Sequence, residues 1–196
     1  MVKTDKEIEL MKISGSICAR ALKKVLENVR QGITTGELDQ IAKEAIEKGN
    51  ASSSFMTVED YQYMLCTTIN DQVVHGIPGK TQLKDGDILG IDIGALYKGF
   101  HSDMATSVPV GKVTDNVKNF LAVGKKTLEK AIIMAKIGNR IGDISAIIQE
   151  GVESAGYSVV KSLTGHGVGR ELHEEPFIPG FGKKGTGPKV LENMVL

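Results

Sequence analysis

Residues 87–111 read DILGIDIGALYKGFHSDMATSVPVG, and the fold turns on how they are read. Two strand-like runs flank the midpoint between Asp92 and Asp103, which falls between Tyr97 and Lys98. A hairpin tipped there sets the two aspartates directly opposite each other, on one face, with Cβ atoms about 5 Å apart. Two ionised carboxylates that close repel and raise each other's pKa, so the arrangement makes sense with cations between them. Asp92 also lies within the apolar run Ile88, Leu89, Ile91 and Ile93, where a buried charge needs a partner or an ion. A lone strand aspartate is more often solvated, and that plainer reading suits Asp103 better than Asp92. His101, near the same hairpin, is read as structural. Further on, GHGVGRELHEEP (165–176) supplies His166 and His173. Carboxylates on a hairpin plus an imidazole on a glycine-rich turn are donor types of a metal hydrolase.

Composition bounds the remaining choices. The 196 residues suffice for one substantial core or two small lobes. The 24 basic and 24 acidic side chains cancel and are scattered, so no nucleic-acid footprint is expected. The N-terminal MVKTDKEIELMK lacks the apolar core of a signal peptide, and no apolar run is long enough to span a membrane. Cys18 and Cys66 are too few and too far apart for a disulfide framework or a zinc site. A cytoplasmic protein is expected.

Helical periodicity marks four segments. Met11, Cys18, Leu22, Val25 and Val29 share one face, and Leu38, Ile41, Ala45 and Ile46 follow a capping-box signal at Thr34 and Glu37. A third segment carries Val117, Phe120, Leu121, Leu128, Ala131, Ile132 and Ala135, and a fourth Ile144, Ile147, Ile148, Val152 and Ala155. All four stripes are assigned to core. Strands are expected at 64–69, 87–95, 100–108 and 157–163.

The chain also repeats weakly. A shift of 106 aligns Gly32, Gly36, Leu38, Ile41, Glu44 and Ile46 with Gly138, Gly142, Ile144, Ile147, Glu150 and Val152. His75-Gly76-Ile77-Pro78 has a counterpart in His173-Glu174-Glu175-Pro176, and 85–89 matches 192–196 at a shift of 107. Two related α/β halves, roughly 1–110 and 111–196, are expected to form a single domain around a shared site. By the repeat, the second-half counterpart of Asp92 falls at position 199, so the second half is expected to be cut short.

Several ordered motifs together resemble type I methionine aminopeptidases, within the pita-bread family of metallopeptidases. They are Cys66-Thr67-Thr68-Ile69-Asn70, VVHGIP (73–78), LKDGD (83–87), Ile91-Asp92, GFHSD (99–103) and GHGVGRELHEEP. The resemblance runs from the first helix to Leu196 and implies an α+β pita-bread fold with antiparallel sheet and flanking helices. It implies two divalent metal ions (Co, Mn, Fe or Zn), with Asp92, Asp103 and His166 as ligands and Asp103 bridging. Two further glutamate ligands belong to the family's site and are not in these 196 residues, so a C-terminally truncated chain of impaired activity is expected. His75 and His173 are implied to contact substrate and the reacting centre. Cys66, Tyr61 and Phe55 are candidates for the methionine pocket, although Val58 stands where the family commonly has tyrosine. N-terminal methionyl peptides and nascent polypeptides are the implied substrates, and a monomer is expected. An X-Pro aminopeptidase or prolidase-like peptidase is the alternative, followed by a non-catalytic peptide-binding module.

Other motifs fail. Gly79-Lys80-Thr81 ends like a P-loop, but Val74 occupies the place of its first glycine; His173-Glu174 begins like a zincin helix, but Phe177 replaces the second histidine. Of Glu174 and Glu175, one is expected to order its loop and the other to be solvated.

Overall fold

A computed structural model describes residues 2–196. Two compact units emerge: an N-terminal unit, 6–118 with 170–172, and a C-terminal unit, 119–169 with 2–5 and 173–196.

The N-terminal unit is organised around β3 (Ile88–Tyr97). Along one edge it pairs antiparallel with β1 (Ser52–Ser53) and β2 (Leu65–Ile69), and along the other with β4 (Phe100–Pro109). Alternation splits the strand into two faces. Leu89, Ile91, Ile93 and Ala95 are buried against α1 (Asp5–Leu26) and α2 (Thr35–Lys48), with Cys18, Leu22, Val25, Leu38 and Ile46 filling the space between. Each such side chain contributes roughly 1.5–3 kcal/mol by leaving water. Ser14 Oγ and Cys18 Sγ reach across to the carbonyls of Ala95 and Ile93, at 2.8 and 3.2 Å, tying helix to strand. The capping box forms as read: Glu37 N donates to Thr34 Oγ1 at 3.1 Å and Thr34 N to the Glu37 carboxylate at 2.8 Å. The Thr34 hydroxyl also donates to that carboxylate at 2.7 Å, and this bond with the one from Thr34 N holds the Glu37 carboxyl below its usual pKa.

The hairpin is set one residue later than its sequence suggests. Tyr97 pairs with Phe100, so the turn residues are Lys98 and Gly99, with φ of 48° and 82°. Two consecutive left-handed residues match the twist of the flanking strands, and Gly99 takes that conformation without strain. Asp92 therefore stands opposite Ala105, and Asp103 opposite Gly94. Moving the centre by one residue moves each partner by two, so both carboxylates stay on one face.

In the C-terminal unit, α3 (Asp115–Met134) and α4 (Ile141–Glu153) accompany a two-stranded ribbon of β5 (Thr164–Gly167) and β6 (Glu174–Pro179). Its core is small: Ala131, Ile141, Ile144 and Val190, with Met134, Ile148 and Ile178 against them. The α3 stripe is not the core that its periodicity suggests. Phe120, Leu128 and Ile132 are 46%, 55% and 63% exposed, although Phe120 meets the Tyr157 ring edge to face at 5.1 Å. Ala155 is likewise exposed, beyond the end of α4. The strand expected at 157–163 does not form. Tyr157 N bonds back to Val152 O after Gly156 at φ 85°, closing the helix, and the strand begins only at Thr164. The β6 strand went unread because Pro176 and Pro179 argue against a ladder.

The weak repeat is reproduced bond by bond within the two units. Thr34 bridges Gln82 as Arg140 bridges Lys189. Thr35 N donates to Thr81 O as Ile141 N does to Pro188 O, and Gly36 N to Gly79 O as Gly142 N does to Thr186 O. Left-handed backbone recurs at Gly32 and Gly138, Asn50 and Gly156, and Gly86 and Asn193.

Candidate metal and peptide site

The β-sheet face turned away from the helices carries the N-terminal unit's candidate chemistry. Asp92 and Asp103 are half-buried there as diagonal neighbours, farther apart than a directly opposed pair. Asp92 is thus not enclosed by the apolar run around it, since Leu89, Ile91 and Ile93 point to the other face and only Ile88 shares its own. His101 stands opposite Leu96, two residues before Asp103 and so on the same face, and is buried at 5% exposure. Small residues clear the ground around the pair. A Cβ on Gly94 would come within 2.7 Å of Ser54 Cβ and 3.0 Å of Ser102 O, and one on Gly90 would collide with Thr68 Oγ1.

Cys66 lies opposite Asp92 in the β2–β3 register, which puts it on the same face. It packs with Phe55, Tyr61 and Leu172. Phe55 and Tyr61 meet edge to face at 6.2 Å, and the Tyr61 hydroxyl donates to Leu65 O at 2.6 Å. The three pocket candidates are therefore together. Leu172 is an addition that no spacing signal could have assigned. Burial pushes the Cys66 thiol up to about 11, with the negative charges of Asp92 and Asp103 adding to the shift and a hydrogen bond with Tyr61 opposing it. Burial likewise holds Cys18 at about 12, again with both aspartates contributing. Cys66 is a neutral thiol at pH 7, suited to an apolar wall and not to a thiolate ligand.

His75 and Asp92 line one cavity of about 270 Å³, whose wall also includes Cys66 and Thr68. His75 is exposed and left-handed, at φ 56°. Its loop is laid on β2 by Gly76, whose carbonyl accepts from Thr67 N at 2.7 Å. A Cβ on Gly76 would strike the Thr67 carbonyl oxygen, so only glycine permits this approach.

In the C-terminal unit, His166 sits at a register shift between Gly165 and Gly167 in the β5–β6 ribbon. Such bulges re-aim a side chain. Its Nδ1 is 2.9 Å from Gly167 O; with the proton on Nδ1, the lone pair lies on Nε2, the tautomer a metal ligand needs. The exposed His173 ring stands edge to face with it, centroids 4.4 Å apart. Glu174 is half-buried and paired with Lys3, while the exposed Glu175 accepts from Phe177 N at 3.2 Å. This is the division of labour expected of the two glutamates, with Lys3 as the partner that sequence reading missed.

Among the described residues, no group of three or more His, Cys, Asp and Glu side chains is close enough together to hold an ion. One unit presents a carboxylate pair and the other an imidazole pair. Hard oxygen donors with a single imidazole suit Mn, Fe(II), Co or Zn better than a thiolate-seeking metal, so the donor chemistry fits the implied ions. No helix among the described residues is long and apolar enough to cross a membrane.

The paired carboxylates on the sheet face, and the bonding that repeats from one unit to the other, are features of the site and fold that a family match can be read against. Residues 9–196 match metallopeptidase family M24, and the chain belongs to that family. Relatives within the family include enzymes of one kind. It is 44% identical to a methionine aminopeptidase of Clostridium perfringens over 196 residues, covering 100% of this chain and 79% of the relative. It is 43% identical to methionine aminopeptidase 1 of Bacillus subtilis, covering 99% of this chain and 78% of that one. The crystal structure of a methionine aminopeptidase from Thermotoga maritima superposes with a TM-score of 0.97 at 41% identity, covering 99% of this chain and 78% of that one. The fold is the α+β pita-bread fold.

Proposed function

We propose that the protein removes the N-terminal methionine from peptides and nascent polypeptides in the cytoplasm, as a monomer using two divalent metal ions. Asp92, Asp103 and His166 are the residues of this chain that would hold them. When bound, the ions supply an activated water and polarise the scissile carbonyl. The chain's own residues do the rest. Asp92 and Asp103 present their carboxylates on a cleared face, and their negative field favours cations there. His75 donates a hydrogen bond to the peptide nitrogen as the amide breaks. His173 hydrogen-bonds the carbonyl oxygen as charge develops on it. Phe55, Tyr61, Cys66 and Leu172 receive the methionine side chain, a setting in which a thioether gains from aromatic contact.

The observation that carries this reading is the opening of His75 and Asp92 onto one cavity whose wall includes Cys66. A peptide series tests it, with Met first and Gly, Ala or Pro second, assayed with added Mn or Co. Release of methionine ahead of Gly and Ala is expected. Preference for proline at the second position would move the assignment to a prolidase-like peptidase.

A further inference from the structure

We infer that Lys3 is a positioning residue for His173: its ion pair with Glu174 lets the first residues of the chain hold the end of β6 that His173 precedes. The Lys3 ammonium lies 2.7 Å from Glu174 Oε2, with the two side chains only 5% and 15% exposed. Lysine is almost never buried this deeply without a partner. A buried ion pair adds little net stability over an apolar pair of similar size, so its value here is geometric. Room for it is reserved. A Cβ on Gly169 would meet Glu174 Oε1 at 2.6 Å and Lys3 Nζ at 2.7 Å, and would collide with Lys3 Cε.

The backbone around Lys3 is anchored on the same side. Val2 bridges Met194, Lys3 N donates to Asn193 O at 3.0 Å, and the Asn193 amide donates to Asp5 Oδ1 at 2.9 Å. The 193–195 segment is in turn tied to the histidine turn, since Val168 N donates to Val195 O at 3.2 Å. Residues 2–5 thus brace both sides of the ribbon bearing His166 and His173: the backbone braces 168 through 195, and the Lys3 side chain braces 174. Glu174 is itself the ladder partner of Gly167, so releasing Lys3 loosens the register that presents both rings.

This rests on the role proposed for His173, and the experiment separates the two. Lys3→Met, Lys3→Arg and the double variant Lys3→Met/Glu174→Leu are compared with the unaltered protein by histidine-ring NMR and by hydrolysis of a Met-Ala peptide. In Lys3→Met the His173 ring signals are expected to shift and broaden, with kcat falling on the order of tenfold and KM changing by less than about twofold. Lys3→Arg is expected to keep the signals near their original positions. The double variant, with an apolar pair in place of the ionic one, is expected to unfold at or above the original temperature and still to lose kcat, which a merely structural role for the pair does not explain. It also decides the matter if Lys3→Met alone fails to fold. Unmoved His173 signals with unchanged kcat would overturn the inference. If the unaltered protein does not turn over methionyl peptides, the proposed function fails, and the ring signals alone decide the role of Lys3.

Discussion

Asp92 and Asp103 stand two residues out of register across the β3–β4 hairpin, yet on the same face. A directly opposed pair would repel at closest range. The diagonal register avoids that closest approach and leaves Ala105 and Gly94 as their small partners.

The turn that sets this register has a measurable preference. Lys98 is a left-handed residue with a branched-free but full side chain, at φ 48°. Lys98→Asn is expected to stabilise the protein by a few tenths to about 1 kcal/mol, because asparagine accepts that conformation more readily. Gly99→Val is expected to destabilise it by at least about 1–2 kcal/mol. Urea midpoints check both, and an unaffected Gly99→Val would mean that the turn lies elsewhere.

Core and surface stripes are expected to separate sharply. Leu38→Ala, at a fully buried position, is expected to cost about 2–5 kcal/mol. Ile132→Gln, on the exposed face of α3, is expected to fall within about 0.5 kcal/mol of the original and to improve solubility. A loss at Ile132 comparable to that at Leu38 would show that the α3 face is covered in solution.

Asp39 gives a pH signature. Burial raises its carboxyl above the usual value, against the pull of backbone N–H donors from Leu65 and Met64 at 2.9 and 2.8 Å. Between the ordinary and the raised pKa, the folded state holds a proton that the unfolded state has released. Asp39's contribution to stability therefore falls as pH rises through that window. Asp39→Asn keeps an oxygen to accept both bonds and is expected to remove this slope above the ordinary aspartate range. Parallel stability curves for the two proteins would contradict it.

Much of this was legible in the sequence. The Thr34–Glu37 capping box, the α1 and α2 core faces and the three main strands follow from local chemistry and periodicity, and the faint repeat proved to be a bonding pattern. Symmetry between the two aspartates points one residue short of the hairpin centre, which Gly99, the residue best suited to the turn, sets. The α3 stripe departs from its expected burial because periodicity reports an apolar face and not what covers it. Phe55, Tyr61 and Cys66 do cluster, but Leu172 and Lys3 join their neighbours through long-range packing that no local spacing records.

Ligands and substrate-contacting groups are expected to part company on mutation. Asp92→Ala, Asp103→Ala and His166→Ala should each lower bound metal, since ligands carry coordination energy. His75→Ala and His173→Ala should retain metal and lose turnover, since their bonds strengthen only as the amide breaks. Metal analysis beside a turnover assay checks this, and an emptied site in His173→Ala would show that His173 is a ligand.

The most direct measurement is methionine release from a Met-Ala peptide by the metal-loaded protein, with and without chelator, beside Asp92→Ala. The expected result is release that stops on chelation, returns on adding Mn or Co, and is absent in Asp92→Ala. Release that survives both chelation and Asp92→Ala would contradict a metal-dependent site built on the β3–β4 hairpin.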